Sequence, residues 1–219
     1  MVEASTPLHL VTFVAVDVET TGLDPAKDDI VAIGAVKIQS GRRVDEFETL
    51  VSIDRTIPWD ARRVHGISNE MVVGKPRITE ALRSFLAFAG DCTLVEHSNM
   101  AFDVGFLERA HGGRFEMAYI NTCSLSRKLF PHIPKHSLDA CCGRFGIVNE
   151  TRAGASLHGA LSDARATADL LLRLLELAGP RYPTLADLVT VCSVERDAAI
   201  RPFPGRKSSR SGSWRSSAR

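Results

Sequence analysis

Three apolar runs open the chain. Residues 10–19 and 29–38 are dense in Val, Ile and Ala, whereas residues 43–52 alternate, with Phe47, Thr49 and Val51 on one face and Glu46 and Glu48 on the other. Each run reads as a strand, and the short connections hold turn residues (Gly22, Asp24-Pro25, Ser40-Gly41) that suit an antiparallel meander. The period then changes. Ala81, Leu82, Phe85, Leu86 and Phe88 recur at helical spacing within Ile78 to Ala89, as do Phe102, Phe106 and Leu107 within Asn99 to His111. Short strands are predicted at Thr93 to Glu96 and Tyr119 to Asn121, with a helix following at 122–129. Ser137 is the predicted N-cap of a helix through Phe145 that stops at Gly146. The longest helix is predicted from Gly159 to Ala178, ahead of Gly179-Pro180, and Leu185, Leu188, Val189 and Cys192 predict another over 184–199. Three strands followed by alternating helix and strand indicate an α/β sheet, antiparallel at one edge and parallel beyond.

Composition narrows the class. A chain of 219 residues with 44% hydrophobic and 24% charged positions is long enough to bury one core, and no apolar run reaches the ~18 residues that span a bilayer. The segment Met1 to His9 lacks the basic start and apolar centre of a secretory signal, so a cytoplasmic location and no membrane partner are expected. The five cysteines, Cys92, Cys123, Cys141, Cys142 and Cys192, follow no zinc-binding spacing, and their odd number argues against a disulfide framework. A net charge of +1 hides an asymmetry. Arg196 to Arg219 holds six Arg and one Lys against Asp197 alone, so a basic tail follows an acidic body. The organisation expected is a domain over 8–179, a helical extension over 180–203 and a tail over 204–219 whose Gly, Ser, Arg and Lys content reads as disordered. That tail either binds phosphates or keeps the chain in solution.

The chemistry concentrates where the first strand ends. In Asp17-Val18-Glu19-Thr20-Thr21-Gly22-Leu23, the two acids sit at alternate positions and project from one face, about 7 Å apart. Carboxylates gathered at a buried strand repel each other and resist desolvation, and hard cations such as Mg2+ or Mn2+ relieve both costs. Taken alone, two solvated acids at a strand end explain the same triplet. Two further acids change the balance. Asp103 follows Phe102 near a helix start, and Asp163 lies between Ala160 and Ala164 where the last long helix begins. His158 precedes Asp163 by five residues, which in an ideal helix is roughly 500° of rotation and about 140° out of register. To serve one centre, His158 must sit on the loop entering the helix, and Gly159 permits that approach. A histidine beside a nucleophilic water is suited to general-base work.

These residues resemble the motifs of the DEDD exonucleases of the histidine subclass, the family of the proofreading epsilon subunit of bacterial DNA polymerase III. The first motif matches as Asp17-Val18-Glu19-Thr20-Thr21-Gly22-Leu23, the second as Asn99-x-x-Phe102-Asp103-x-x-Phe106-Leu107, and the third as His158-x-Ala160-x-x-Asp163-Ala164. Two flanking signatures agree, Val64-His65-Gly66-Ile67-Ser68-Asn69-Glu70-Met71 and His136-Ser137-Leu138-Asp139-Ala140 with Phe145-Gly146-Ile147. Within them His65 reads as structural. The resemblance covers residues 10 to about 178, in the family's order. It departs at Ser98-Asn99, where the family often has His-Asn and this chain has His97 one place earlier. It departs again at Asn121, where many members have Asp. The first departure bears on substrate contacts, the second on a local cap.

The resemblance implies a ribonuclease H-like mixed five-stranded sheet, three antiparallel strands then two parallel, flanked by helices. It also implies 3′→5′ hydrolysis of DNA ends, single-stranded or frayed, with two divalent cations, in proofreading or repair. Asp17, Glu19 and Asp163 would hold one ion, with Asp17 bridging to a second that Asp103 serves; His158 would take the proton from water. Backbone amides of Thr20, Thr21, Gly22 and Leu23 would meet the terminal nucleotide. Leu23 and Phe102 offer apolar surfaces to the last base, although Phe102 also suits a core. Asn99 either contacts the nucleotide or caps a helix. The partners expected are a nucleic acid with a free 3′ end and a DNA polymerase subunit. An RNA-trimming enzyme is the alternative within the class. A nucleic-acid-binding module without catalysis is the alternative outside it, and the presence of all five catalytic-type residues argues against that one.

Overall fold

The computed structural model of the protein describes residues 3–150 and 159–192. Five strands, β1 (Phe13–Thr20), β2 (Ile30–Gln39), β3 (Arg42–Leu50), β4 (Thr93–Glu96) and β5 (Tyr119–Asn121), form one sheet in the order β3-β2-β1-β4-β5. The β3–β2 and β2–β1 pairings are antiparallel, while β1–β4 and β4–β5 are parallel. This is the ribonuclease H-like mixed sheet that the sequence implied. The helices are α1 (Trp59–His65), α2 (Asn69–Val72), α3 (Ile78–Ala89), α4 (Phe102–His111), α5 (Thr122–Leu129), α6 (Leu138–Phe145), α7 (Gly159–Ala178) and α8 (Leu185–Cys192). None among the described residues is long and apolar enough to cross a membrane.

The two-residue period of β1 sorts its side chains between two cores. Val14, Val16 and Val18 pack with α3 and α4, while Phe13 and Ala15 pack with α5, α6, α7 and α8. Asp17 and Glu19 continue the second series, so the strand that buries Phe13 and Ala15 under α7 delivers two acids to the same face further along. The β1–β4 ladder ends at Ala15↔Val95, and β1 runs on past it. A register shift between Glu19 and Thr20 bends the strand where its acids finish, as bulges beside active sites commonly do.

Gly34 lies opposite Asp17 in the β1–β2 register. A Cβ there would stand 2.2 Å from Leu161 N and 2.3 Å from Ala160 C, both backbone atoms of α7. The missing side chain is therefore what lets the first turn of α7, and Asp163 with it, settle against β2. Backbone cannot swing aside as a side-chain tip can. Gly34→Ala is expected to cost at least ~3 kcal/mol, the upper end of overpacking costs, read as a lower urea midpoint with unchanged slope.

Some boundaries differ from the sequence reading. Helix α4 starts at Phe102 rather than Asn99, because Ala101 turns the chain through a left-handed conformation at φ 38°. Helices α1 and α2, absent from the periodicity, fill the connection after β3 and bury Ile57, Ile67 and Val72 against Val31, Ala32 and Ala160. The helix expected over 184–199 is seen as α8, with Leu185, Leu188 and Cys192 in the same core as α5 and α7; residues 193–199 and the basic tail lie outside the described residues. All five cysteines are free.

Candidate active site

Four acids from three elements meet where β1 outruns β4. Asp17 and Glu19 come from β1, Asp103 from the first turn of α4, and Asp163 from the first turns of α7. The Asp17 side chain keeps partial exposure along a cleft that Asp163 also lines, whereas Asp103 is buried at 4% exposure. Asp103 Oδ1 accepts the backbone N–H of Val18 at 3.0 Å, and this bond ties the second acidic element to the strand between the first two acids. Burial first, and then the charges of Asp103, Glu19, Asp163 and Glu96, push the Asp17 carboxyl well above the usual aspartate range. Asp103 is raised in the same direction, by burial and by Glu96, against the opposing pull of the Val18 amide.

Among the described residues, no three His, Cys, Asp or Glu side chains close into a ready-made metal cluster. The acids nevertheless act on one another, and the direction of their shifts tests whether ions suit the place. Carboxylates that raise each other's pKa are short of positive charge, and their oxygens are the hard donors that Mg2+ and Mn2+ prefer. The residues present therefore fit divalent cations. His158, the expected general base, lies outside the described residues.

Two supports for this site were not legible in the sequence. The first is Glu96, fully buried at the end of β4. Its carboxylate accepts the N–H of Val104 at 2.8 Å, the hydroxyls of Ser98 (2.5 Å) and Tyr119 (2.8 Å), and the Asn121 amide at 3.5 Å. Ser98 Oγ in turn accepts the N–H of Phe102 at 3.1 Å. The cap residue Ala101 has no side chain able to do this work, so two orphan amides at the start of α4 are satisfied from the end of β4 and the loop after it. The departures from the family pattern thus belong together. Ser98 bonds to Glu96, and Asn121 donates to Ser98 O and Tyr119 Oη while its Oδ1 caps α5 at Ser124 N. An Asp at 121 would set a second carboxylate against Glu96.

The second support is Asn149. Its amide donates to Asp163 Oδ1 at 2.5 Å, and its own oxygen accepts the Ser162 hydroxyl at 3.0 Å. If Asp163 ligates a cation, as the resemblance implies, such a partner orients its carboxylate, and the loss of such partners typically costs ~10–100-fold in metal affinity or activity. Asn149→Ala is expected to fall in that range. A metal titration of nuclease rate would show the loss chiefly as a raised half-saturation concentration.

The expected substrate contacts separate into two groups. Thr20 and Thr21 are buried and their hydroxyls serve the turn: Thr20 Oγ1 donates to Gly22 O, and Thr21 Oγ1 accepts from Asp29 N (2.9 Å) and Arg55 Nη2 (2.6 Å). A Cβ at Gly22 would stand 2.4 Å from the Asp28 carboxylate and push it off the Asp24 N–H that it accepts. Leu23, by contrast, is 63% exposed beyond the turn, and Phe102 is half-buried against Phe106 with ring centroids 4.9 Å apart. Asn99 is exposed, and its oxygen accepts Arg127 Nη2 at 2.5 Å. His65 is buried with Nδ1 accepting from Ile67 N at 3.0 Å, in keeping with a structural role. His97 reaches across the cleft wall, its Nε2 donating to His136 O and its Nδ1 2.8 Å from Thr122 Oγ1. Burial lowers its pKa to about 4 and keeps it neutral.

Residues 14–171 match the RNase T exonuclease family. The DNA polymerase III subunit epsilon-like protein of Rhodobacter capsulatus is 45% identical over 78% of this chain and 25% of its own length. The DNA polymerase III subunit epsilon of Aquifex aeolicus is 36% identical over 75% of this chain and 81% of its own length. The chain spans only 12% of the PolC-type DNA polymerase III of Thermotoga maritima, to which it is 41% identical. Among solved structures, exonuclease X in complex with 5′ overhanging duplex DNA superposes with a TM-score of 0.68, at 29% identity, over 83% of this chain and 99% of that one. Exonuclease I shares the fold at a TM-score of 0.67 and 17% identity.

Proposed function

The chain belongs to the RNase T family of DEDD-type 3′→5′ exonucleases, related to the epsilon and PolC proteins, and from that premise we propose that it removes nucleotides from the 3′ ends of DNA. One observation carries the reading. The Asp17 carboxyl feels Asp103, Glu19 and Asp163 together, so acids from β1, α4 and α7 converge beside one open cleft.

Asp17, Glu19 and Asp163 would hold one divalent cation, with Asp17 shared by a second that Asp103 serves. Such ions supply water activation and neutralise charge gathering on the scissile phosphate. The chain's own residues do the rest. His158, at the entrance to α7 in sequence, takes a proton from the attacking water. The water oxygen forms a bond to phosphorus, the bond from phosphorus to the 3′ oxygen of the preceding nucleotide breaks, and that oxygen takes a proton from solvent. A 5′-mononucleotide leaves and a new 3′ hydroxyl remains. A general base of this kind contributes ~10²–10⁴-fold. Leu23 and Phe102 offer apolar surface to the departing base, and such contacts tolerate any sequence.

Relatives named as polymerase III epsilon support DNA as the substrate and a polymerase as a partner; the setting proposed for this activity is replication or repair in the cytoplasm. The test is degradation of matched 3′-labelled and 5′-labelled DNA and RNA oligonucleotides with Mg2+ or Mn2+, beside an Asp17→Ala control. Metal-dependent shortening from the 3′ end, faster on DNA and absent in the control, is expected. Inertness towards both polymers with either metal would leave a binding module. Faster cleavage of RNA would move the enzyme to the RNA-trimming branch.

A further inference from the structure

We propose that Arg127 and Lys135 form a subsite for the phosphodiester one nucleotide upstream of the scissile bond, an inference that rests on the exonuclease reading. The cleft, about 470 Å³, is lined by Asp17 and Asp163 and also by Arg127 and Lys135. The acids suit cations, and those cations would themselves neutralise the scissile phosphate, which leaves the two basic side chains to serve another one. Beyond the scissile phosphate, a 3′ terminus carries only a sugar, a base and a hydroxyl. A second phosphate reached from the same cleft therefore lies on the 5′ side, on the penultimate nucleotide.

Both side chains are exposed and available. Neither forms an ion pair among the described residues, whereas Arg55 is paired with Asp28 and Asp29, and Arg165 with Glu46 and Glu150. The Arg127 fork is aimed by one bond, Nη2 to Asn99 Oδ1, which leaves its other N–H groups to meet phosphate oxygens in pairs. Asn99 thus acts on the substrate through Arg127. Lys135 stands on a fastened loop. Its carbonyl accepts Arg144 Nη2 at 2.9 Å, and the next residue, His136, is buried with Nδ1 accepting from Ser126 Oγ (2.9 Å) and Nε2 donating to Ile133 O (2.7 Å). His97 Nε2 donates to the His136 carbonyl at 2.8 Å. A flexible ammonium on a rigid base can follow a backbone phosphate without loosening the cleft.

The experiment compares wild type with Arg127→Ala, Lys135→Ala and the double variant on three substrates. These are the p-nitrophenyl ester of thymidine 5′-monophosphate, which has no upstream phosphate, a single-stranded oligonucleotide, and the same oligonucleotide with a neutral methylphosphonate at the penultimate position. In the double variant the ratio of oligonucleotide to ester kcat/KM is expected to fall about 10- to 100-fold. Its salt dependence on the oligonucleotide should become shallower by ~0.7 in log–log slope for each cation removed. The methylphosphonate should impair wild type by a similar factor and leave the double variant indifferent. An unchanged ratio, or a double variant still sensitive to the methylphosphonate, overturns the subsite alone. A wild type inert on all three overturns the exonuclease reading and the subsite with it.

Discussion

Asp17→Asn is expected to abolish nuclease activity and, in metal-free protein, to raise the melting temperature. The activity loss follows from position: the charges of the other three acids converge on Asp17, and it is the residue proposed to serve both ions. Removing a single well-placed stabilising group from an active site costs on the order of 10²–10³ in rate, so a shared ligand should cost on the order of 10³ or more. The stability gain follows from the same charges. The folded-state pKa of Asp17 lies above the ordinary value of 3.8, so the folded chain holds this proton more tightly than the unfolded chain does. The contribution is favourable at acid pH and is lost as pH rises through the folded value, which leaves a metal-free protein strained at neutral pH. A neutral amide of the same shape removes that strain. A gain of ~1 kcal/mol would raise Tm by about 2–4 °C in a chain of this size. Melting both proteins in EDTA at pH 8 decides the matter. A lower Tm for Asp17→Asn would mean that the carboxylate is a structural hydrogen-bonding group, and the reading of the site as a charge trap would fall.

The sequence carried the site's acids because each sits in a local pattern. Asp17 and Glu19 are legible from the two-residue period of a strand whose other members are apolar, and Ser137 and Gly146 bracket α6 by local capping rules that the structure repeats. Helix α1 was not legible, because Trp59 and Val64 are exposed and only His65 is buried, so its seven residues present no apolar stripe. Within it only Ala61 packs against the cluster of Ile57, Ile67 and Val72 on either side, and no window over Trp59–His65 contains that cluster. The start of α4 was misplaced for a related reason. Its first amides are capped by Glu96 and Ser98, before the helix in sequence, and the left-handed turn at Ala101 has no residue signal. Glu96, Asn149 and Arg127 were overlooked because each is one polar letter among many. Their meaning lies in partners 8, 14 and 28 residues away. The Thr20 and Thr21 hydroxyls show the converse: a motif position can be strongly specified and still serve the turn with its side chain.

Removal of divalent cations should abolish activity outright, and the concentration of Mn2+ needed to restore it should fall as pH rises. Asp17 and Asp103 are both raised above 3.8, and among the charges that raise them are those of Glu19, Glu96 and, for Asp17, Asp163. A cation entering this set must displace whatever protons the acids have retained, and metal affinity then depends on pH as it does at any site whose ligands must be deprotonated. Each proton displaced makes the half-activating Mn2+ concentration fall by up to about tenfold per pH unit, and the slope flattens once the folded pKa values are passed. Glu96 gives the sharper test, because it raises Asp103 from behind while the Val18 amide lowers it. In Glu96→Gln the Asp103 carboxyl should ionise at lower pH, so the pH at which the slope flattens should move down relative to wild type. Activation curves for both proteins from pH 5.5 to 8.5 would show this displacement. A half-activating concentration independent of pH in wild type would mean that the acids are fully ionised before metal enters. The mutual destabilisation of Asp17 and Asp103 would then have no part in metal binding.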